Sequence, residues 1–238
     1  MVDLTLFEIP LDPLADRFQA ALLPFPSAIP ALDREKVVKI LPSKGQAIAL
    51  FEFYVAKVNW LYHIIHVPTV RKQLVDVYTA LGRDQMPPYD QLALVTTIIT
   101  LAAYFSPGPL GGIDHDDLHS ACFKNWSFLS QDSLTAANYI LTPTVESLQA
   151  LILVIISAPD VEHFTNQDFK LSHNLLPNLG ATAMFSVIRA TTVTMAQALA
   201  LHRIDSSENQ QRRKTEKYDL VMLEVKRRIW WHIASSDW

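Results

Sequence analysis

The sequence predicts an all-α fold: an irregular multi-helix bundle that follows an extended, proline-rich N-terminal lead-in. Half of the 238 residues are apolar and only 18% are charged, which is the composition of a chain that buries a large core. Apolar residues recur at helical spacing through most of the chain, and no sustained alternation of apolar and polar residues indicates a sheet. We therefore expect the core to be built from helices alone.

Prolines dominate the first part of the chain. They stand at positions 10, 13, 24, 26, 30 and 42, and each one removes a backbone donor and blocks helical geometry in the preceding turn. We predict that residues 1–42 form a loosely ordered lead-in with at most short helical turns. One helical domain is then expected over residues 43–238, incomplete at its C-terminus.

The first helix of this domain is predicted to begin at Ser43, whose hydroxyl can accept a hydrogen bond from the free amides of the first turn. Apolar residues then recur at helical spacing as far as Ile65. Pro68 disfavours helical geometry at the residue before it, and Thr69 is suited to cap a second helix that runs to Leu81. The two helices are therefore expected to meet at a tight corner.

Further helices follow from the same spacing rules. Asp90 is a suitable cap for the run to Phe105, which is apolar on nearly every side and therefore belongs in the centre of the bundle. Pro143 suits the start of a helix. The ranges predicted as helical after Pro88 are 91–105, 114–139, 143–159, 181–201 and 218–238. Residues 160–177 give no clear pattern, and the polar stretch Asp205–Lys217 is expected to be a connector.

Charge and cysteine content exclude several classes of protein. The net charge of -4 and the pI of about 6.0 disfavour direct binding of nucleic acid, because such domains concentrate positive charge on one face. The single cysteine, Cys122, excludes an internal disulfide and a zinc site built from several cysteines, and it fits a reducing, intracellular compartment. We also expect no secretory signal peptide, and the most apolar run, 92–105, is shorter than the roughly 20 residues that a membrane span needs.

The strongest candidate for a metal site is the pair His115 and His119. Two imidazoles one helical turn apart can share a metal ion, and Asp116 stands where metalloproteases carry a glutamate base. No third ligand is evident downstream, and an acidic helix start with two solvated histidines explains the same residues. We therefore predict no metal and no other cofactor, and keep a helical metal-dependent enzyme that uses His115 and His119 as an alternative hypothesis.

Other reactive side chains favour structural roles. His63 and His66 flank two isoleucines, where a histidine is more often a hydrogen-bonded structural residue than a catalyst. Cys122 lies between apolar neighbours, which is typical of a core thiol. The sequence contains none of the common nucleophile motifs or glycine-rich phosphate loops. We therefore predict no catalytic residues.

Two basic clusters lie near the end of the chain. Arg212-Arg213-Lys214 falls in the polar connector beside acidic residues, which favours a solvated segment, with a nuclear-import signal as an alternative. Lys226-Arg227-Arg228 directly precedes Ile229-Trp230-Trp231 on the last predicted helix. At helical spacing the tryptophans are interpreted as core anchors, and the arginines as partners of carboxylates or of ring faces.

Several segments, taken in order, share a pattern. An aromatic helix from Phe51 leads into the corner His66-Val67-Pro68-Thr69, and Ser147-Leu148-Gln149-Ala150-Leu151 forms a Ser-x-Gln-Ala-Leu motif. The most specific pair is Ala196-Gln197-Ala198-Leu199-Ala200-Leu201-His202-Arg203 and Glu224-Val225-Lys226-Arg227-Arg228-Ile229-Trp230-Trp231. From Phe51 to Trp238 the chain thereby resembles the fungal-specific transcription factor domain, the middle homology region of fungal zinc-cluster transcription factors.

The resemblance marks the structural positions of the family motifs as Pro68, Gln149, His202, Arg203, Arg227, Arg228, Trp230 and Trp231. Two departures are interpreted as mild: Ala200 replaces the usual glycine before Leu-His-Arg, and Lys226 replaces the first arginine of the basic trio. The family also carries an upstream zinc cluster built on six cysteines, whereas this chain has one cysteine. DNA binding is therefore not implied by the resemblance.

The resemblance implies a regulatory domain that acts in the nucleus, in the regulation of transcription, and is not an enzyme. Its implied partners are a protein partner or further C-terminal helices that cover Trp230 and Trp231, together with a small-molecule effector. No direct contact with nucleic acid or with a membrane is expected. An alternative hypothesis is a truncated gene product with no independent activity.

Overall fold

The computed structural model describes residues 32–156, 181–215 and 217–235, and most of these residues lie in helices joined by short connections. The α-helices of this part of the chain are α1 Arg34–Ile40, α2 Lys44–Lys57, α3 Val67–Gly82, α4 Tyr89–Phe105, α5 His115–Asp117, α6 Phe123–Ala136, α7 Val145–Ile156, α8 Ala181–Ala198, α9 Ser207–Thr215 and α10 Leu220–Ser235. Within it the one extended pairing is an isolated bridge between Leu110 and Ile113. The all-α prediction is confirmed, while the predictions for residues 1–31 and 160–177 lie outside the described residues.

Helix α4 forms the centre of the bundle, as its sequence predicts. All of its residues from Leu92 to Ala103 are buried, and α2, α6 and α7 pack around it. Buried hydroxyl groups are costly unless they are hydrogen-bonded. Thr96, Thr97 and Thr100 each donate to the backbone carbonyl four residues earlier, so the core accepts them without a loss of helical bonds.

The helical unit starts earlier than the predicted boundary at Ser43. It begins at Leu32, and α1 lies inside the segment that was expected to be loosely ordered. Asp33 caps α1 by accepting a hydrogen bond from a first-turn amide at 3.2 Å. Val37 of α1 is fully buried, and the indole of Trp126 on α6 donates to the last carbonyl of α1 at 2.9 Å. Prolines flank this stretch without interrupting it, which leaves room for two helical turns.

Helix α2 begins at the predicted cap but ends before the predicted corner. Ser43 and Gln46 form a reciprocal capping box at its start. The chain then leaves the α-helix after Lys57, forms a 3-10 turn over Asn59–Leu61 and passes through His63, whose φ is 49°. Apolar spacing continues through this segment, but a residue with positive φ cannot extend a helix.

Two other connections differ from their predictions. The helix expected over 114–139 is interrupted by a π-helical turn over Leu118–Cys122, between α5 and α6. The polar stretch expected to be a connector forms α9, because Ser206 accepts a hydrogen bond from the amide of Asn209 at the start of the helix. None of the helices in the described ranges is long and apolar enough to cross a membrane.

Candidate functional site

The most specific motif of the sequence lies on the turn that follows α8. After this helix ends, Ala200 adopts a left-handed backbone conformation with φ 56°. The 3-10 turn that follows buries Leu201 and leaves His202 and Arg203 exposed. A left-handed residue directly after a helix is usually glycine, because glycine has no Cβ to clash with the backbone. Ala200 is therefore a strained position, a consequence of the replacement that the sequence alone did not indicate.

The two halves of the motif meet through aromatic rings. The ring centroids of His202 and Trp230 are 5.9 Å apart, so the turn after α8 contacts α10. Trp230 is partly buried against the core, beside Ile229, which is fully buried. Trp231 instead is 66% exposed, so it is not the core anchor that helical spacing predicts.

A bidentate ion pair links the same two elements. Asp205 accepts from Arg227 Nε at 2.8 Å and from Arg227 Nη2 at 2.9 Å. Arg213 of α9 adds a bond to Asp205 Oδ1 at 3.2 Å and also donates to the carbonyl of Ile204. Asp205 therefore holds α9 and α10 together through two guanidinium groups, a geometry that favours a fixed arrangement.

A second carboxylate extends this network along α10. Glu224 accepts from Arg227 Nη1 at 2.7 Å and from Arg228 Nε at 2.9 Å. The bonds from these arginines hold the pKa of Glu224 below its ordinary value, and the bond from Arg227 does the same for the pKa of Asp205. Both carboxyl groups are therefore ionised at neutral pH. We call Asp205, Arg213, Glu224, Arg227 and Arg228 the arginine network.

A groove runs between α10 and the segment that precedes the corner. Its lining residues are Leu61, Tyr62, Glu224, Arg227, Arg228, Trp231, His232 and Ser235. The groove has a volume of about 390 Å³ and is open to solvent. Its apolar side is formed by Leu61 and Trp231, which are 44% and 66% exposed, and its polar side by three members of the arginine network, Glu224, Arg227 and Arg228. We call it the Trp231 groove.

His232 also lines this groove and contacts the segment that precedes the corner. Its ring packs edge-on against Tyr62, with centroids 5.2 Å apart and planes at 88°. Burial lowers the pKa of His232 below the ordinary value of 6.5, because the charged imidazolium would lose water contacts there. The imidazole is therefore neutral at pH 7 and leaves the charge of the groove to its arginines and Glu224.

The corner itself is held by the Ser-x-Gln-Ala-Leu helix. Gln149 of α7 is 4% exposed, and its side-chain amide donates to the carbonyl of Ile64 at 2.6 Å. Pro68 stands in the first turn of α3, where its missing amide hydrogen costs nothing. The hydroxyl of Thr69 lies 2.8 Å from His66 Nδ1 and forms a hydrogen bond with it. Thr69 therefore does not cap α3.

The histidine pair of the alternative metal hypothesis lies on α5 and the π-helical turn. The ring centroids of His115 and His119 are 4.3 Å apart, so the spacing of one helical turn brings the two imidazoles together. His119 Nε2 lies 2.9 Å from the carbonyl of Ser106 and donates to it. Over the described residues, no group of three His, Cys, Asp or Glu side chains converges to hold a metal ion.

The remaining candidates fall outside the Trp231 groove. Cys122 is partly buried, and burial together with Asp117 raises the pKa of its thiol, which disfavours the reactive thiolate. Arg213 lies in the helix α9 with only 15% of its side chain exposed, so it does not present a flexible basic signal with Arg212 and Lys214.

The structure therefore brings His202, Arg227, Arg228 and Trp231 to one region, and places Gln149 and Pro68 at the corner next to it. Sequence reasoning included Glu224 in the motif and expected the arginines to pair with carboxylates, but it did not identify Asp205 or His232. Asp205 pairs with Arg227, which lies 22 residues further along the chain, so no local spacing indicates this pair. The role of His232 depends on Tyr62, far away in sequence, and carries no local signal.

The chain is similar to known proteins. Residues 51–235 match the profile of the fungal specific transcription factor domain. The chain is similar to the Agnestins biosynthesis cluster transcription factor AgnL11 of Paecilomyces divaricatus, with 40% identity over 86% of this chain and 27% of the relative. It is also similar to the probable transcription factor lepB of Aspergillus flavus, with 30% identity over 83% of this chain and 33% of the relative.

A more distant relative is the transcription factor TAS2 of Pyricularia oryzae, with 24% identity over 84% of this chain and 24% of the relative. The chain thus spans about a quarter to a third of the length of these curated relatives. No solved structure matches it significantly. The family profile covers most of the chain, including both the corner and the Trp231 groove. The chain therefore belongs to the fungal specific transcription factor domain family.

Proposed function

We propose that this chain is a regulatory interaction domain that acts in the nucleus, in the regulation of transcription, by contacting other protein segments and without binding DNA itself. The observation that carries the proposal is the exposed Trp231 in a groove whose polar side is fixed by paired charges. Tryptophan is enriched at the centres of protein interfaces, where a few large side chains supply most of the binding energy. The names of the relatives, all transcription factors, support the regulatory role.

The arrangement of charges supports an interaction role over a role in DNA binding. Arg213 and Arg227 are paired with Asp205, and Arg228 is paired with Glu224, so these three arginines carry counter-charges. The chain as a whole has a net charge of -4. A surface that grips a phosphate backbone needs a field of unpaired cations. The single cysteine also leaves no means to build a six-cysteine zinc cluster from these residues.

The groove is better suited to a protein segment than to an enclosed small molecule, because it is open along one side. Side chains that are already locked by hydrogen bonds lose little entropy when a partner binds. The arginine network meets this condition, since Arg227 is held by three bonds to two carboxylates. A small-molecule effector stays a secondary part of the proposal and is testable by thermal shift.

A reporter experiment tests the regulatory role. The chain is fused between a heterologous DNA-binding domain and an activation domain in yeast, and reporter output is compared with the fusion that lacks the chain. We expect the chain to change the output and Trp231→Ala to remove most of this change. Trp60→Ala is the matched control, because Trp60 is 63% exposed but does not line the groove. Equal output with and without the chain would contradict the proposed role.

A binding experiment tests the absence of DNA binding. Purified chain is titrated into labelled duplex DNA at about 50 mM and about 200 mM salt, with fluorescence anisotropy as the readout. We expect no saturable binding at either salt concentration. Tight binding that weakens steeply as salt increases would show that the arginines contact phosphate, and the DNA part of the proposal would then be wrong.

A further inference from the structure

We propose that the partner seated in the Trp231 groove is an amphipathic helix of a second protein, which places apolar side chains on Leu61 and Trp231 and carboxylates next to Arg228. This inference rests on the proposed interaction role and adds the chemistry of the partner. Three observations carry it: the shape of the exposed face of α10, the apolar side of the groove, and the local charge.

The exposed face of α10 has the spacing of a helix-packing ridge. Val221, Glu224, Arg228, Trp231 and Ser235 follow one another at intervals of three or four residues, so they form one stripe along the helix. Such a stripe packs against a second helix through its ridges and grooves. A partner that adds a β-strand needs an exposed sheet edge, and the residues described here contain no strand that could provide one.

The apolar side of the groove supplies anchoring contacts. Trp231 is 66% exposed and Leu61 is 44% exposed, and the two side chains line the same groove from different elements. Tyr62 lines the same groove, and its ring contacts that of His232. A helix that inserts leucine or phenylalanine side chains at helical spacing would cover both exposed groups at once.

The charge of the groove determines which charged side chains a partner can place next to it. The charged side chains that line the groove are Glu224, Arg227 and Arg228, so two positive charges and one negative charge give it a net charge of +1. The whole chain has a net charge of -4. The groove is therefore a locally positive site on an acidic molecule, and it attracts carboxylates and repels lysines.

Arg228 is the group that would receive a carboxylate. Arg228 donates to Glu224 through Nε, and 47% of its side chain is exposed, so its two terminal nitrogens can meet an incoming acid. Arg227, by comparison, already bonds through all three of its nitrogens. An acidic side chain beside the apolar residues of the partner would therefore pair with Arg228.

The experiment uses a displayed library of helical peptides of roughly 18 residues, which gives about five turns. Leucines are fixed at i, i+3, i+4 and i+7, and the flanking positions are randomised among glutamate, glutamine and lysine. The folded chain is the target, in about 0.15 M salt. We expect the selected peptides to be enriched in glutamate and depleted in lysine. Enrichment in lysine, or no selected charge preference, would overturn the inference.

Variants locate the binding site of a selected peptide. We expect Trp231→Ala to weaken its binding by at least about tenfold, the usual effect of removing a central aromatic anchor. Arg228→Gln should weaken binding of the glutamate peptide several-fold and leave a glutamine version of that peptide unaffected. Trp60→Ala is the matched exposed tryptophan outside the groove and should leave affinity unchanged. Circular dichroism establishes that each variant folds, and Arg228→Gln decides the question if Trp231→Ala does not fold.

The outcomes separate this inference from the proposed function. A chain that changes reporter output but selects no acidic helix, or binds it equally well as Trp231→Ala, overturns the inference alone. A chain that binds the acidic helix at the groove but leaves reporter output unchanged overturns the regulatory role and keeps the inference.

Discussion

Ala200 holds a left-handed backbone conformation, with φ 56° and ψ 27°, directly after α8. In this conformation the Cβ of an L-residue crowds the backbone, at a free energy of about 1–2 kcal/mol relative to glycine. We therefore expect Ala200→Gly to stabilise the domain by about 1 kcal/mol, a part of the gain being offset by the larger entropy of glycine in the unfolded chain. Urea unfolding measures this change, and for a domain of this size it corresponds to about 2–4 °C in Tm.

Ala56→Gly is the matched control for this prediction. Ala56 is exposed within the helix α2, where no left-handed conformation is required. The same substitution should there destabilise the domain by about 1 kcal/mol, because glycine is a poor helix former. Destabilisation by both substitutions would show that Ala200 is not strained.

Gln149 is the second residue whose environment defines its effect. Its amide is the donor for the buried carbonyl of Ile64, and Leu at this position would fill the space without donating. A buried carbonyl that loses its partner costs about 1–3 kcal/mol. We expect Gln149→Leu to lower the free energy of unfolding by that amount. Gln85→Leu, at an exposed glutamine, should change it by less than about 0.5 kcal/mol, and equal losses would contradict the assigned bond.

At the scale of elements, the arginine network fixes α10 against the turn after α8 and against α9. Its pairs are partly exposed, with 42% of the Asp205 side chain and 32% of the Arg227 side chain accessible, so screening by water limits their strength. The bidentate geometry favours the upper end of the range for surface pairs. We expect a double-mutant cycle of Asp205→Asn with Arg227→Gln to give a coupling of about 1 kcal/mol in urea unfolding.

An exposed pair within one helix provides the comparison. Lys72 and Asp76 are four residues apart in α3, with 77% and 48% of their side chains accessible. Their coupling in the same kind of cycle should be about 0.3–0.5 kcal/mol. A coupling between Asp205 and Arg227 no larger than this would mean that the network does not hold α10 in place.

The elements also show what sequence reasoning could reach. The run from Leu92 to Ala103 is apolar on all sides, and this pattern alone places α4 in the centre of the bundle. The helix α9 was not predicted, because its residues are polar throughout. In the structure Ser206 caps its start, and Arg213 bonds Asp205 and the carbonyl of Ile204. Apolar periodicity detects helices that bury an apolar face. It does not detect a helix whose contacts are made by polar and charged side chains.

The same limit applies to the candidate site. The spacing of Trp230 and Trp231 on α10 predicts burial of both, yet only one face of a helix can point to the core. Ile229 and Ile233 occupy that face and are buried, so Trp231 is left outside. The motif residues could be named from the sequence, but the direction in which each one points depends on packing between α10 and the corner.

At the scale of the whole molecule, the Trp231 groove lies on the core that the whole bundle forms. The described core is continuous from α1 through α4 to Ile233 of α10, and it supports the Trp231 groove from below. The groove itself combines Leu61 and Tyr62, from the segment that precedes the corner, with residues of α10, near position 231. Its geometry therefore depends on the complete fold, and any change that loosens the bundle should also loosen the groove.

As pH falls, the titratable groups that join these elements should lose their stabilising effect in a defined order. Burial lowers the pKa of His232 in the folded state below its ordinary value of 6.5, so the unfolded chain takes up a proton first as pH falls. Stability is then lost as pH falls below about 6.5. The carboxyl groups of Asp205 and Glu224 have folded-state pKa values below their ordinary values, so their contribution is complete above about 4.5 and is lost only in stronger acid.

We therefore expect the free energy of unfolding to be constant between about pH 7 and pH 8, to decline below about pH 6.5, and to decline more steeply below about pH 4.5. His232→Phe keeps an aromatic contact with Tyr62 and has no titrating group, so it should remove the first decline and leave the second. Tyr62→Phe keeps His232 and should retain both. If the first decline persisted unchanged in His232→Phe, the imidazole that joins α10 to the corner would not be the group that responds to acid.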